Sequence, residues 1–96
     1  MEILEHIKAK REQILHLAEQ HGARNVRVFG SVARGDTRPD SDVDFLVDMP
    51  RGRTLLDLVG LWQDLEELLD RRVDVVVEGG INPHRAERIL AEARPL

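Results

Sequence analysis

"FGSVARGDTRPDSDVDFLVD", residues 29–48, decides how this chain is read. Its second half sets Val43, Phe45 and Val47 against Asp42, Asp44 and Leu46, and that alternation predicts a β-strand with one apolar face. Just ahead, "NVRVFGS" alternates Val26, Val28 and Gly30 against Arg27 and Phe29, the pattern of a short strand ending in a Gly-Ser turn. Between them residues 35–41, rich in Gly, Asp, Thr, Pro and Ser, form a loop. Two strands are thus joined by a turn and a loop, with aspartates at alternate positions of the second.

Upstream, Ile3, Leu4, Ile7, Ile14, Leu15 and Ala18 recur at helical spacing, so residues 2–21 are expected to form one amphipathic helix, stopped by Gly22. Arg11 falls on or beside its apolar stripe and must reach the rim or find a partner. Downstream, the loop "MPRGR" leads to Thr54, a helix cap with Asp57 placed to complement the N-terminal dipole. The following helix has Leu55, Leu56, Leu58, Val59, Leu61, Trp62, Leu65, Leu68 and Leu69, more than one apolar stripe needs. "RRVDVVVE" reads as a third strand interrupted by Asp74. A Gly-Gly turn, an Asn82-Pro83 cap and a last helix through Ala93, ended by Pro95, complete the order. The expectation is an α/β (α+β) fold, a small mixed sheet flanked by helices, with residues 1–96 as a single domain.

Ninety-six residues support one core. A composition 42% hydrophobic and 33% charged is globular, and the apolar runs are too short to cross a bilayer. The charged N-terminus lacks the apolar region of a secretory signal, and cysteine is absent, so a cytoplasmic location is the default expectation. A net charge of -4 argues against nucleic acid as the main partner, because that affinity is carried by clustered positive charge.

Strand side chains repeat every second residue, so Asp42 and Asp44 project from one face. Two carboxylates so placed repel one another unless a cation neutralises them or one takes a proton, and oxygen ligands suit a hard ion such as magnesium or manganese. Alone, the pair is weak evidence for a metal and reads more readily as a solvated strand face. Asp74 adds weight, because a carboxylate inside a valine run is costly without a partner. Beside the second strand it would complete a trio; otherwise it would pair with Arg27, Arg71 or Arg72. Gly30 lets backbone approach a ligand, and Ser31 offers a hydroxyl and an N–H at the start of the turn "SVAR". Arg34 could neutralise phosphate there, or simply pair with Asp36 or Asp40.

Gly30-Ser31, ten residues, then Asp42-Val43-Asp44 and a later strand aspartate, Asp74, resemble the signature of the polymerase-beta-type nucleotidyltransferase superfamily. The short chain and the run "GSVARGDTRPDSDVDFLV" resemble, within it, the minimal nucleotidyltransferases encoded as antitoxins beside HEPN-domain toxins. The resemblance implies a polymerase-beta-like nucleotidyltransferase fold and transfer of a nucleotide from ATP or another NTP to a hydroxyl. It implies catalytic, metal-binding roles for Asp42, Asp44 and Asp74 around two Mg2+ ions, with Mn2+ as a substitute. Gly30 and Ser31 would cradle the outer phosphates, with Arg34 beside them.

The implied acceptor is a tyrosine hydroxyl of a HEPN-domain toxin, with which the chain would form a hetero-oligomer. The chain contains no tyrosine of its own. The surface expected to meet the partner is the leucine-rich helix with Trp62, unless its apolar faces serve only the core. Two rival readings stand beside this one: an antitoxin with a weak or idle site that neutralises its toxin by binding, and a small transferase acting on an RNA end or a small molecule. His6, His16, His21 and His84 lack zinc-site spacing and suggest surface or capping roles. Arg51 and Arg53 follow the second strand and read as a solvated loop within reach of a nucleotide.

Overall fold

The two alternating runs pair with each other. In the computed structural model, which describes residues 3–50, 52 and 54–96, β1 (Arg24–Phe29) runs antiparallel to β2 (Val43–Asp48), with Val28 opposite Phe45 and Phe29 opposite Asp44. β3 (Val73–Val77) lies parallel to β2 on its other side. The two-residue strand β4 (Arg94–Pro95) closes the far edge, giving the mixed order β3-β2-β1-β4. Parallel pairing of β2 with β3 requires a crossover, which α4 (Leu55–Leu69) supplies.

Alternation sends one set of side chains to each face of this sheet. Val28, Val43, Phe45, Val47, Val73 and Val75 point to the main core and meet three helices there. These are α1 (Ile3–Ala9), α2 (Arg11–Gln20) and α4, which bury Ile3 and Ile7, Ile14 and Ala18, and Leu61, Leu65 and Leu69. Each such aliphatic side chain contributes about 1.5–3 kcal/mol by leaving water. The opposite face is thinly covered: Phe29 and Leu46 form a small second cluster with Ile89 of α5 (Pro83–Glu92).

The single N-terminal helix expected from periodicity is two helices, broken at Lys10, which takes φ -101° and ψ 9°. The break lets each half follow the twist of the sheet while Ile7 and Ile14 both remain fully buried. Arg11 finds its partner at the rim, its Nε donating to the Leu96 carbonyl at 3.0 Å. The expected Thr54 cap is a full capping box, with the Thr54 hydroxyl and Asp57 carboxylate each accepting from the other's backbone N–H. His21 is the C-cap of α2, and its Nε2 lies 2.7 Å from Asp64 Oδ2 of α4. Its ring crosses α4 at Gly60, where a Cβ would come within 2.7 Å of His21 Cε1, so glycine there admits the close approach.

Arg27 departs from the pattern of a solvated strand face. It is only 9% exposed and pairs with Asp48 at 3.2 Å and Glu78 at 2.9 Å. A shift of register between Arg24 and Arg27, with Asn25 at φ 54°, marks an irregularity in β1 beside it. Among the described residues no helix is long and apolar enough to cross a membrane.

Candidate active site

The register of three strands brings distant residues into one row. Phe29, Asp44 and Asp74 are direct neighbours across β1, β2 and β3, and residues so paired share a sheet face. Adjacent strands lie about 4.8 Å apart, so the Asp44 and Asp74 carboxylates stand side by side on the thinly covered face. Asp42 falls just before β2 begins at Val43 and is exposed, two residues from Asp44 and close enough to repel it. Among the described residues Asp74 makes no ion pair: Arg27 is held by Asp48 and Glu78, while Arg71 donates to the carbonyls of Pro39 and Ser41.

Asp44 responds to this company. Burial, followed by repulsion from Asp74 and then Asp42, pushes its carboxyl up to about 6, against the weaker pull of Arg34 and Arg85. Burial and the neighbouring carboxylates therefore outweigh the nearby arginines at this group. Its donor chemistry is carboxylate oxygen alone, which fits a hard divalent cation. Among the described residues no three acidic or imidazole groups are drawn together tightly enough to form a ready-made cage. Asp44 and Asp74 fit such an ion by chemistry and by face, and Asp42, just outside the strand, fits it by chemistry.

Gly30 closes the site from β1. It follows Phe29 directly, is buried, and opens α3 (Gly30–Arg34) at φ +70°, a conformation that side chains rarely adopt. A Cβ at this position would run into the Asp44 carboxylate. The glycine thus combines a left-handed turn with contact between backbone and the central aspartate. Ser31 follows, half-buried, beside the same cavity.

A cavity of about 390 Å³, a size within the range of small-ligand sites, lies beside Gly30, Ser31 and Asp44, whereas Asp42 and Asp74 do not line it. Phe29, Gly30, Ser31, Arg34 and Asp44 line one side, and α5 supplies the other with His84, Arg85, Arg88, Ile89 and Glu92. Glu92 ties the two sides together. Its Oε2 accepts from the Gly30 N–H at 3.2 Å, and its Oε1 accepts from Arg34 Nη1 at 3.0 Å and Arg88 Nε at 3.4 Å. Burial opposes ionisation of Glu92, but the hydrogen bonds from Arg34 and Arg88 outweigh it and hold the carboxyl below its ordinary range. Arg34 also pairs with Asp36 at 3.2 Å, as the sequence had offered, so it reaches the cavity tethered on both sides.

Sequence reasoning missed the contribution of α5. A signal was present, because His84, Arg85, Arg88 and Glu92 recur at spacings that share a helical face. Which side of the sheet that helix covers depends on tertiary packing of Ile89, which no local pattern encodes. His84 is exposed, as expected, and stands at the rim of the cavity. Arg51 and Arg53 lie outside the described residues. The leucine-rich helix divides its apolar residues: Leu61, Leu65 and Leu69 enter the core, Trp62 packs partly buried against it, and Leu55, Leu56 and Val59 remain exposed.

Comparison with known proteins bears on the family and the fold. Residues 10–96 match the model of the nucleotidyltransferase domain family. A Thermococcus cleftensis protein named protein adenylyltransferase MntA is 42% identical over 76 residues, covering 79% of this chain and 77% of its own. A Methanocaldococcus jannaschii relative provisionally named a protein adenylyltransferase is 41% identical over 83 residues, covering 86% and 89%. A solved structure provisionally described as a minimal nucleotidyltransferase superposes with TM-score 0.88 at 55% identity, over 97% of this chain and 95% of that one. A toxin-antitoxin crystal structure with AMP-PNP shares the fold at TM-score 0.76 and 21% identity, over 88% of this chain and 69% of that one.

Proposed function

The chain belongs to the nucleotidyltransferase domain family, and from that premise we propose that it transfers AMP from ATP to a hydroxyl group of a partner protein. The observation that carries the reading is the pairing of Asp44 with Asp74 across adjacent parallel strands, with Gly30 pressed against Asp44. Enzymes of this family generally use divalent metals. Asp42 and Asp44 would hold the cation that accompanies the triphosphate, and Asp74 would share a second with Asp44 beside the entering hydroxyl. The two cations would supply compensation of charge on the entering and leaving oxygens.

The residues of the chain itself perform the rest. Gly30 exposes backbone without a side chain in the way, Ser31 presents its N–H and hydroxyl, and Arg34 carries positive charge toward the outer phosphates. The hydroxyl oxygen forms a bond to the α-phosphorus, the bond from that phosphorus to the bridging oxygen breaks, and pyrophosphate leaves with its electron pair. The hydroxyl proton passes to a carboxylate oxygen of Asp74, the aspartate beside the entering hydroxyl.

Relatives named protein adenylyltransferases favour a protein acceptor. The chain lacks tyrosine, so a tyrosine acceptor belongs to another molecule, and a HEPN-type toxin is the proposed one. Under that reading the chain acts as an antitoxin, with Mg2+ as its metal. Exposed Leu55 and Leu56, 73% and 80% accessible, favour a second reading in which binding alone neutralises the partner.

The two readings separate when the protein is mixed with Mg2+, ATP labelled at the α-phosphate, and a helical HEPN-type partner. Transfer predicts label on the partner, reduced roughly hundredfold or more by Asp42→Asn. A tight complex that never takes up label from the native chain would establish the binding reading instead.

A further inference from the structure

Glu92 is the most heavily engaged carboxylate in the cavity, and every group that it engages is an anion-binding donor. The Gly30 N–H, the Arg34 guanidinium and the Arg88 guanidinium all point to its two oxygens. These donors come from two elements, α3 and α5, separated by nearly fifty residues of chain, and among the described residues they converge on this side chain. A carboxylate in that position presents the same two features as a phosphate, negative charge and a pair of acceptor oxygens, to the same partners. Its side chain is 19% exposed, whereas that of Arg88 is 79% exposed, so the arginine is free to turn toward a newcomer.

Resting on the transfer reading of this cavity, we infer that Glu92 is an internal stand-in for the outer phosphates, and that Arg88 joins Arg34 as a triphosphate-binding residue once they are exchanged from Glu92 to the nucleotide. The exchange is favourable because a polyanion replaces a single negative charge at the same donors. It also explains why an acidic side chain sits where the substrate must place its charge. With no ligand bound, Glu92 keeps two guanidinium groups and one N–H aligned and satisfied. On binding, it must withdraw along α5, because its charge and that of the phosphates repel one another. Glu92 is therefore a competitor of the ligand, and Arg88 a binding group for it.

The sign of the Glu92 effect distinguishes this role from a purely structural one. Tripolyphosphate serves as the probe, since it carries the anion without base, sugar or reacting bond, and binding is measured by titration calorimetry on the intact chain. Glu92→Gln should bind it roughly three- to tenfold more tightly than the native chain, and Glu92→Ala should do the same. Arg88→Gln should bind it roughly tenfold more weakly. In an Arg34→Gln, Arg88→Gln background the gain from Glu92→Gln should shrink toward none, because the donors that it frees are gone. The Gly30 amide resonance should move when tripolyphosphate is added to the native chain, and less so in Glu92→Gln.

Unchanged or weaker tripolyphosphate binding in both Glu92 variants, with melting temperatures near that of the native chain, overturns the inference. So does a full gain persisting without Arg34 and Arg88. These affinities require no acceptor and no chemistry. Failure of labelled-AMP transfer, with the predicted shifts intact, would count against the transferase reading and leave the anion exchange standing.

Discussion

At the scale of single residues, Asp44 shows what its neighbours cost it. Its carboxyl is pushed up to about 6 from 3.8, by burial first and then by Asp74 and Asp42. Between those two values the folded chain holds a proton that the unfolded chain has lost, so this group's contribution to stability falls as pH rises through the window. Above about pH 6 the full penalty applies, and below about pH 3.8 it vanishes. Asp44→Asn removes the penalty. In metal-free buffer the variant should melt a few degrees higher than the native chain, about 4 °C, near pH 7.5, and should show no advantage near pH 3.5. Millimolar Mg2+ should raise the native melting temperature and leave the variant's almost unmoved. A variant that melts lower at neutral pH, or responds fully to Mg2+, contradicts this account of the site. The Asp74 clue was legible because a carboxylate within a valine run is out of place. The partners of Arg27 were not, because both Asp48 and Glu78 reach it only through strand register.

At the scale of elements, local signals were read correctly wherever the physics is local. Thr54 and Asp57 satisfy each other's backbone N–H groups within four residues, so the start of α4 was visible in the sequence. Thr54→Ala should cost about 1 kcal/mol, lowering the melting temperature by roughly 5 °C, with faster hydrogen exchange confined to the first turn of α4. A loss spread evenly along α4 would show that the cap supports more than its own turn. The break at Lys10 was illegible for an equally physical reason. Ile3, Ile7, Ile14 and Ala18 keep helical spacing on either side of it, so their periodicity fits one helix or two. Strand β4 is only two residues long and contains Pro95, which the sequence marks as a helix terminator. Its extended backbone suits an edge strand, and pairing with Arg27 and Val28 completes it.

At the scale of the whole molecule, the site exists because one sheet is covered unequally. Three helices bury the β-branched and aromatic face, whereas α5, with Ile81 just ahead of it, lies over the face that carries Asp44 and Asp74. Such an arrangement keeps the aspartates accessible while making half of the cavity wall depend on a single helix. Ile89, 4% exposed against Phe29 and Leu46, is the buried aliphatic anchor of that helix. The remaining ties of α5 across the cavity are polar, made by Glu92 to Gly30 and Arg34. Deleting most of the Ile89 side chain should cost about 2–4 kcal/mol, the usual range for such a cavity, and the cost should fall first on α5. Amide exchange across residues 83–92 should then speed up by roughly a hundredfold in Ile89→Ala while that of Phe45 and Leu46 in β2 stays near the native rate. Labelled-AMP transfer should drop in parallel, since the arginine side of the cavity swings away from the phosphates. If exchange instead rises equally in β2 and α5, the helix and sheet unfold as one unit. The site could not then open by movement of α5 alone, and the unequal coverage of the sheet would be a feature of packing rather than of access.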